Sequence, residues 1–192
     1  MIAPSPLDPF IPVFDARERF QVRVRAPSQL VYQTAATFDL ESLPLVHAIF
    51  WLRARLMGAG PEARSPFAPG LLAGARELGW GTLVDQPGRR FVAGGYCQPW
   101  LPNVAFTPLG PETFAAFTAP DFVKIAWTLE TDPQGPRQTL LATETRAVAT
   151  SPAAQRRFRR YWRWARFGIY SIRWLLLPAL RRQAEARDAS AP

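Results

Sequence analysis

The pattern of apolar and polar positions divides the chain into an irregular start, a set of strands and one long final helix. Four prolines within residues 1–16 prevent a regular element, although residues 10–14 are apolar, so the sequence predicts an extended arm that lies against the domain. Strict alternation over residues 19–25 predicts a strand. Two short helices follow, one capped by Ser28 and one beginning at Pro44.

The middle of the chain changes from a loop to a run of strands. Residues 58–79 are rich in glycine, proline and alanine, which predicts a long loop with a helical turn near 71–78. Beyond it, alternation indicates an antiparallel sheet, with a tight turn at 86–89 that has proline and glycine at its second and third positions. The predicted strands are 80–85, 90–96, 113–118, 122–131 and 138–150.

The last part of the chain predicts one long helix. Ser151 is the expected N-cap with Pro152 in the first turn, and Pro178 is expected to kink or end the helix. One side of this helix carries an apolar stripe that we expect to face the sheet. The stripe consists of Phe158, Trp162, Ala165, Ile169, Ile172 and Leu176.

Large aromatic residues also occur on the side of this helix that is turned away from the sheet. Phe167, Tyr170 and Trp174 fall there at angles shared with several arginines, and soluble monomers rarely leave such residues uncovered. The apolar part of the arm, residues 10–14, is the candidate cover. We therefore expect the arm to fold over the outer side of the helix, in its own subunit or a neighbouring one; otherwise the aromatic strip serves a membrane or a partner.

The charge of the chain is concentrated at its end. The 192 residues are enough for one domain, and the net charge is +8. Residues 1–150 are balanced, whereas residues 151–192 hold ten arginines against Glu185 and Asp188. A local basic face can attract phosphate, anionic lipid or an acidic partner. Nucleic acid is disfavoured as a partner, because no recognised nucleic-acid motif accompanies the arginines.

Cysteine and histidine usage excludes several kinds of site. The single cysteine, Cys97, excludes an intramolecular disulfide and a cysteine-rich zinc site, and the single histidine, His47, excludes a two-histidine metal site. We therefore predict no metal and no cofactor. No secretory signal is visible, and Arg166 and Arg173 interrupt the most apolar late stretch, which argues against a transmembrane segment. These features favour a cytoplasmic protein.

The order of elements is that of the helix-grip fold. In residues 20–27, 31–32, 140–146 and 156–162 the chain resembles the START/Bet v 1-like (SRPBCC) superfamily, in particular bacterial polyketide cyclase/dehydrase and lipid-transport proteins. The resemblance implies an α+β helix-grip domain, in which a curved antiparallel sheet wraps around the long C-terminal helix and two short helices follow the first strand. The expected boundaries are an arm at 1–17, the domain at 18–186 and a disordered tail at 187–192.

The resemblance also implies a cavity between sheet and helix that holds a lipid, a polyketide or an aromatic metabolite, and it brings no universal catalytic residue. The cavity candidates are Tyr96, Trp100, Trp127, Glu144, Arg146, Trp162 and Ile169. Glu144 and Arg146 share one face of the last strand. That face either lines the cavity, where the pair could bind a carboxylate, or faces solvent, in which case Thr143 and Thr145 point inward.

Three functions remain open from the sequence. The first is a binding or carrier protein for an apolar or amphipathic small molecule. The second is an aromatase/cyclase- or dehydratase-type enzyme that acts on a polyketide-like substrate. The third is a peripheral membrane or partner-binding module that uses the basic helix. Arg166 and Arg173 flank the apolar stripe, where they either reach the mouth of the cavity, pair with acids of the sheet, or extend their charged ends into solvent. The oligomeric state is left open.

Overall fold

The computed structural model describes residues 5–58 and 70–190, and within them the chain forms an open antiparallel sheet with helices. The predicted loop segment at 59–69 lies outside the described residues. The strands are β1 (Ala16–Val24), β2 (Gly81–Gln86), β3 (Arg90–Cys97), β4 (Thr107–Pro108), β5 (Val123–Gly135) and β6 (Gln138–Ala149). The helices are α1 (Ser28–Ala36), α2 (Pro44–Met57), α3 (Leu71–Glu77), α4 (Pro111–Ala116) and α5 (Pro152–Ala189), with a short 3-10 turn at Leu40–Ser42.

The sheet places the first and last strands side by side. Its order is β1-β6-β5-β3-β2, with every neighbouring pair antiparallel, and β4 adds two residues beside β3. Two short helices follow β1, and the long α5 packs on the sheet. The predicted α+β architecture, an antiparallel sheet combined with a long C-terminal helix, is confirmed.

Strand alternation gives the sheet two faces with different covers. The inner face, which α5 covers, carries Phe20, Trp127 and Thr143. The outer face carries Val92 and Ala126, and the N-terminal arm covers it. Because neighbouring residues of one strand point to opposite faces, each residue can be assigned to a face from its register.

Helix α5 begins as the sequence predicts. The Ala154 amide donates to Ser151 Oγ at 3.2 Å, and Pro152 occupies the first turn, where its missing N–H costs nothing. No residue of the predicted apolar stripe is exposed, and Phe158, Ala165 and Leu176 are buried.

Of the two effects expected of Pro178, a kink or an end of the helix, the end is wrong. Helix α5 continues to Ala189, so residues 187–189 are helical rather than part of a disordered tail. Leu176, Leu177 and Leu180 bury their side chains in one core cluster on both sides of the proline. This packing offsets the hydrogen bond that the proline removes from the helix.

Two further expectations are corrected. Residues 113–118 are not a strand: α4 occupies Pro111–Ala116, because Gly110 and Pro111 start a helical turn in which Thr113 donates to the Gly110 carbonyl at 3.0 Å. The arm does not cover α5. Leu7 and Ile11 are buried on the outer face of the sheet, where they pack with Leu83, Val92 and Phe114.

Candidate functional site

The predicted cavity residues are divided between the two faces of the sheet. Tyr96 lies on the outer face, where its ring stacks on Phe117 with 4.1 Å between centroids. Trp127 lies on the inner face, packed between Trp80 and Phe91. The structure therefore does not bring Tyr96 and Trp127 together.

Two other candidates do meet, near the start of α5. Trp162 packs on Phe158 with ring centroids 5.4 Å apart, and both belong to an inner-face cluster that Trp100 joins. The guanidinium of Arg157 lies 6.0 Å from the centre of the Trp100 ring. Ile169 lies further along the helix and is half-buried.

Glu144 and Arg146 form an ion cluster on the outer face. The side chain of Glu144 is 0% exposed, and its Oε1 accepts from Arg146 Nε at 2.7 Å and from Arg17 Nε at 2.9 Å. Arg19 Nη1 contacts Glu144 Oε2 at 3.1 Å. Burial by itself would raise the pKa of the Glu144 carboxyl, but the hydrogen bonds and charges of Arg17 and Arg146 outweigh it and hold this pKa below its ordinary value.

The arm closes this ion cluster from outside. Arg146 Nη1 donates to the Ile11 carbonyl at 2.8 Å and contacts Asp8 Oδ1 at 2.8 Å, and the Phe14 ring centre lies 4.9 Å from its guanidinium. Glu144 and Arg146 thus neither line a space under α5 nor face solvent. They attach the arm to the sheet, and Thr143 and Thr145 point inward.

The inward-pointing threonines meet a charged residue of α5. Arg173 donates through Nη1 to Thr143 Oγ1, and through Nη2 to Thr145 Oγ1 at 3.1 Å. Burial lowers the pKa of this guanidinium to about 10. Among the side chains that the structure describes, no carboxylate lies within 4.0 Å of it.

Glu18 is the acid that the sheet register places beside this group. It lies opposite Thr145 on β1, yet it accepts a hydrogen bond from the Tyr170 hydroxyl, which raises the pKa of Tyr170. We call Glu18, Thr143, Thr145, Tyr170 and Arg173 the inner polar cluster. Two of the five N–H groups of Arg173 are directed to threonine hydroxyls, so the guanidinium retains donors for a further acceptor.

The inner polar cluster lies where the apolar packing of α5 is interrupted. One core cluster surrounds Phe158 near the start of α5, and another contains Leu176, Leu177 and Leu180. Ile169 and Ile172, in the segment between them, are half-buried and belong to neither cluster of described residues. The interface between helix and sheet is thus apolar at both ends and polar in the middle.

Of the positions that the sequence leaves open for Arg173, the structure shows a half-buried one that is directed to the sheet rather than into solvent. Arg173 follows Ile169 by one helical turn and precedes Leu177 by another, so it lies close to the apolar stripe. This helical spacing is the feature of the sequence that indicates a position of Arg173 near the sheet. Thr143 and Thr145 of β6 strengthen this indication, because two hydroxyl groups on a covered face offer hydrogen-bond acceptors to a cation on the helix.

An apolar groove lies between α2 and α5, outside the interface with the sheet. Its volume is about 600 Å³. It is lined by Leu45, Ala48, Ile49, Leu52, Tyr170, Ser171, Trp174 and Leu175. None of the predicted cavity residues lines this groove. Gly168 allows the close approach of the two helices, since a Cβ there would lie 3.3 Å from Ile49 Cγ2.

The single cysteine lies on β3 and the single histidine on α2. Cys97 is buried, and desolvation raises the pKa of its thiol to about 12, which makes it a poor nucleophile at neutral pH. His47 is half-buried on α2. Within residues 5–58 and 70–190, no group of three His, Cys, Asp or Glu side chains is arranged to hold a metal ion. No helix in these ranges has the length and apolarity needed to cross a membrane.

Comparison with known proteins adds only distant structural likenesses. No family model and no curated protein matches the chain. A protein from Chromobacterium violaceum aligns with a TM-score of 0.38 and 12% identity, over 88% of this chain and 97% of that one. A Thermus thermophilus protein gives a TM-score of 0.33 and 12% identity, over 92% and 100%. A conserved Geobacillus kaustophilus protein gives 0.36 and 9%, over 87% and 96%. These likenesses carry no argument about function.

Proposed function

We propose that this chain binds an amphipathic small molecule with an anionic end, and that the molecule lies between α5 and the inner face of the sheet. The observation that carries the proposal is Arg173, a half-buried residue whose guanidinium donates to two threonine hydroxyls and contacts no described carboxylate. A cation that is partly withdrawn from water without a counter-charge is costly unless something pairs with it. A ligand carboxylate, sulfonate or phosphate would supply that charge.

The surroundings of Arg173 suit an apolar ligand tail. Ile169 and Ile172 leave part of their side chains accessible on the helix, and Ile125 does so on the sheet. Trp127 lies beside Thr145 in the sheet register and adds an aromatic surface. A small number of polar groups within apolar walls is the usual composition of a small-molecule site.

The element order supports a finer assignment, which belongs to the same proposal. A strand, short helices, antiparallel strands and a long final helix make the architecture helix-grip-like. We propose that the chain is a member of the START/Bet v 1-like superfamily and acts as a carrier rather than as an enzyme. Its single cysteine is typical of proteins in reducing compartments, so the cytoplasm is the proposed location.

The test compares two probes that share one chain and of which only one carries a charged head group. Parinaric acid and its methyl ester have the same fluorescent chain, and we expect the purified protein to bind the acid more tightly. Arg173→Gln should weaken binding of the acid by about 10- to 100-fold and leave the ester unchanged, because a hydrogen bond to a charged group contributes about 1.5–3 kcal/mol. Arg173→Lys keeps the positive charge and should lose less affinity for the acid than Arg173→Gln does.

Arg166→Gln is the matched control, since Arg166 lies on the same helix and is exposed. It should leave the affinities for both probes unchanged. Equal affinity for acid and ester, or an Arg173→Gln variant that binds the acid as well as the parent protein, would overturn the proposal. Circular dichroism of each variant separates loss of binding from loss of fold.

A further inference from the structure

Helices α2 and α5 expose large apolar side chains on and beside the groove between them. Trp174 is 79% exposed, Leu56 68% and Trp51 65%. We call the whole set the α2–α5 face. It consists of Leu45, Trp51, Leu52, Leu56, Phe167, Tyr170 and Trp174, all of them exposed.

These side chains form one surface rather than scattered positions. The groove between the helices is lined by Leu45 and Leu52 from α2 and by Tyr170 and Trp174 from α5. Phe167 precedes Tyr170 and Trp174 by one and two helical turns, so it extends the same side of α5. A continuous apolar surface of this kind marks an interaction site in soluble proteins.

The charge carried by the two helices of the α2–α5 face is positive over most of their length, although Glu18 of β1 lies beside Tyr170. Helix α2 contains no acidic residue, and α5 contains none from Pro152 to Ala184, a stretch that holds nine arginines. Arg156, Arg160 and Arg163 continue the row of Phe167 toward the helix start at helical spacing, and all three are exposed. One row of side chains is therefore basic over its first turns and aromatic over the next.

We propose that the α2–α5 face docks on an anionic lipid bilayer, with its aromatic and leucine side chains in the interfacial region and its arginines against lipid phosphates. An amphipathic helix with this composition binds in the plane of a bilayer through buried apolar area and attraction to anionic headgroups. Tryptophan and tyrosine favour the interface because their rings are apolar and carry one polar group. The proposal goes beyond ligand binding and does not depend on Arg173.

The arm provides no competing cover for this face. Leu7 and Ile11 are held on the opposite side of the molecule, where the Ile11 carbonyl accepts from Arg146. An acidic protein or a second copy of the chain would also meet an apolar surface. A second copy would, however, bring a second set of arginines to the same contact, which disfavours that occupant.

The test is sedimentation of the full chain with lipid vesicles. We expect binding to vesicles that contain phosphatidylglycerol, weak binding to pure phosphatidylcholine, and release at high salt. Trp51→Ser with Trp174→Ser removes apolar contacts, and Arg156→Ser with Arg160→Ser and Arg163→Ser removes charge. Each set should reduce partitioning by roughly tenfold or more.

Matched controls come from the rest of the surface. Val13 is 76% exposed on the arm, and Arg89 is exposed in the β2–β3 turn. Val13→Ser and Arg89→Ser should leave vesicle binding unchanged. Because these experiments contain no parinaric acid, they succeed or fail independently of the proposed ligand site.

Three results would overturn the proposal. The first is no sedimentation with anionic vesicles. The second is sedimentation that neither variant set reduces. The third is a dimer in analytical ultracentrifugation that Trp51→Ser with Trp174→Ser dissociates, without vesicle binding by the parent protein, since the occupant would then be a second copy.

Discussion

The two faces of the sheet differ in how their charged side chains are paired. On the outer face, Glu144 is surrounded by the guanidinium groups of Arg17, Arg19 and Arg146, and the arm closes over them. On the inner face, Arg173 has two threonine hydroxyls and no described carboxylate within ion-pair distance. The comparison separates a charge cluster that holds the structure together from a charge that is available to a ligand.

The difference also distinguishes two uses of the same residue type. Arg146 is neutralised by chain residues and anchors a proline-rich segment that cannot form a regular element of its own. Arg173 interrupts the apolar face of α5 and has no ion-pair partner among the described residues. A charge that costs stability and lacks a counter-charge within the fold is a candidate for function.

The largest expected effect tests the comparison directly. Arg146→Met should destabilise the fold by about 3–5 kcal/mol, because it leaves Glu144 and Asp8 without their common partner. Arg173→Met removes a desolvated charge and should change stability by no more than about 1 kcal/mol, or increase it. Urea unfolding followed by circular dichroism gives both values. Equal losses would contradict the distinction between the two arginines.

The second-largest expected effect is a loss of stability from substitutions in the arm. Ile11 of the arm is buried against the outer face of the sheet, whereas Val13, two residues later, is exposed. Ile11→Ala should cost about 2–4 kcal/mol through lost burial and the cavity it leaves. Val13→Ala should stay within about 0.5 kcal/mol. If both variants unfold at the same urea concentration as the parent protein, the arm does not stabilise the sheet.

The smallest effect is a pH dependence on the outer face. The pKa of Glu144 is held below its ordinary value of 4.5, so its contribution to stability is fully present above about pH 5 and is lost as the pH falls through the lower folded-state pKa. We expect the stability that this group contributes to decrease as the pH falls from about 6 to about 3. Unfolding free energies at a series of pH values measure it. Arg146→Met, which removes one cause of the lowered pKa, should show a shallower dependence; an identical slope would assign the acid sensitivity to other carboxyls.

Local patterns in the sequence determined the elements and their order. Alternation of apolar and polar residues located β1, β3, β5 and β6, and a serine followed by proline located the start of α5. Each of these patterns involves residues that are close together in the chain, so it can be recognised without knowledge of the tertiary contacts. The α4 segment does not form the predicted strand, because Phe114 and Phe117 are three residues apart, which is a helical spacing, and Gly110 and Pro111 favour the start of a helix.

Only the tertiary structure decided which face each charge occupies and what covers it. The sequence shows that Glu144 and Arg146 share a face and that Thr143 and Thr145 share the other, but the identity of each face depends on where the arm and α5 lie. The arm reaches the outer face because Arg146 Nη1 binds the Ile11 carbonyl, more than a hundred residues away along the chain. Contacts over such separations leave no periodic trace in the sequence, which is why the two threonine partners of Arg173 are known from the fold and not from the pattern.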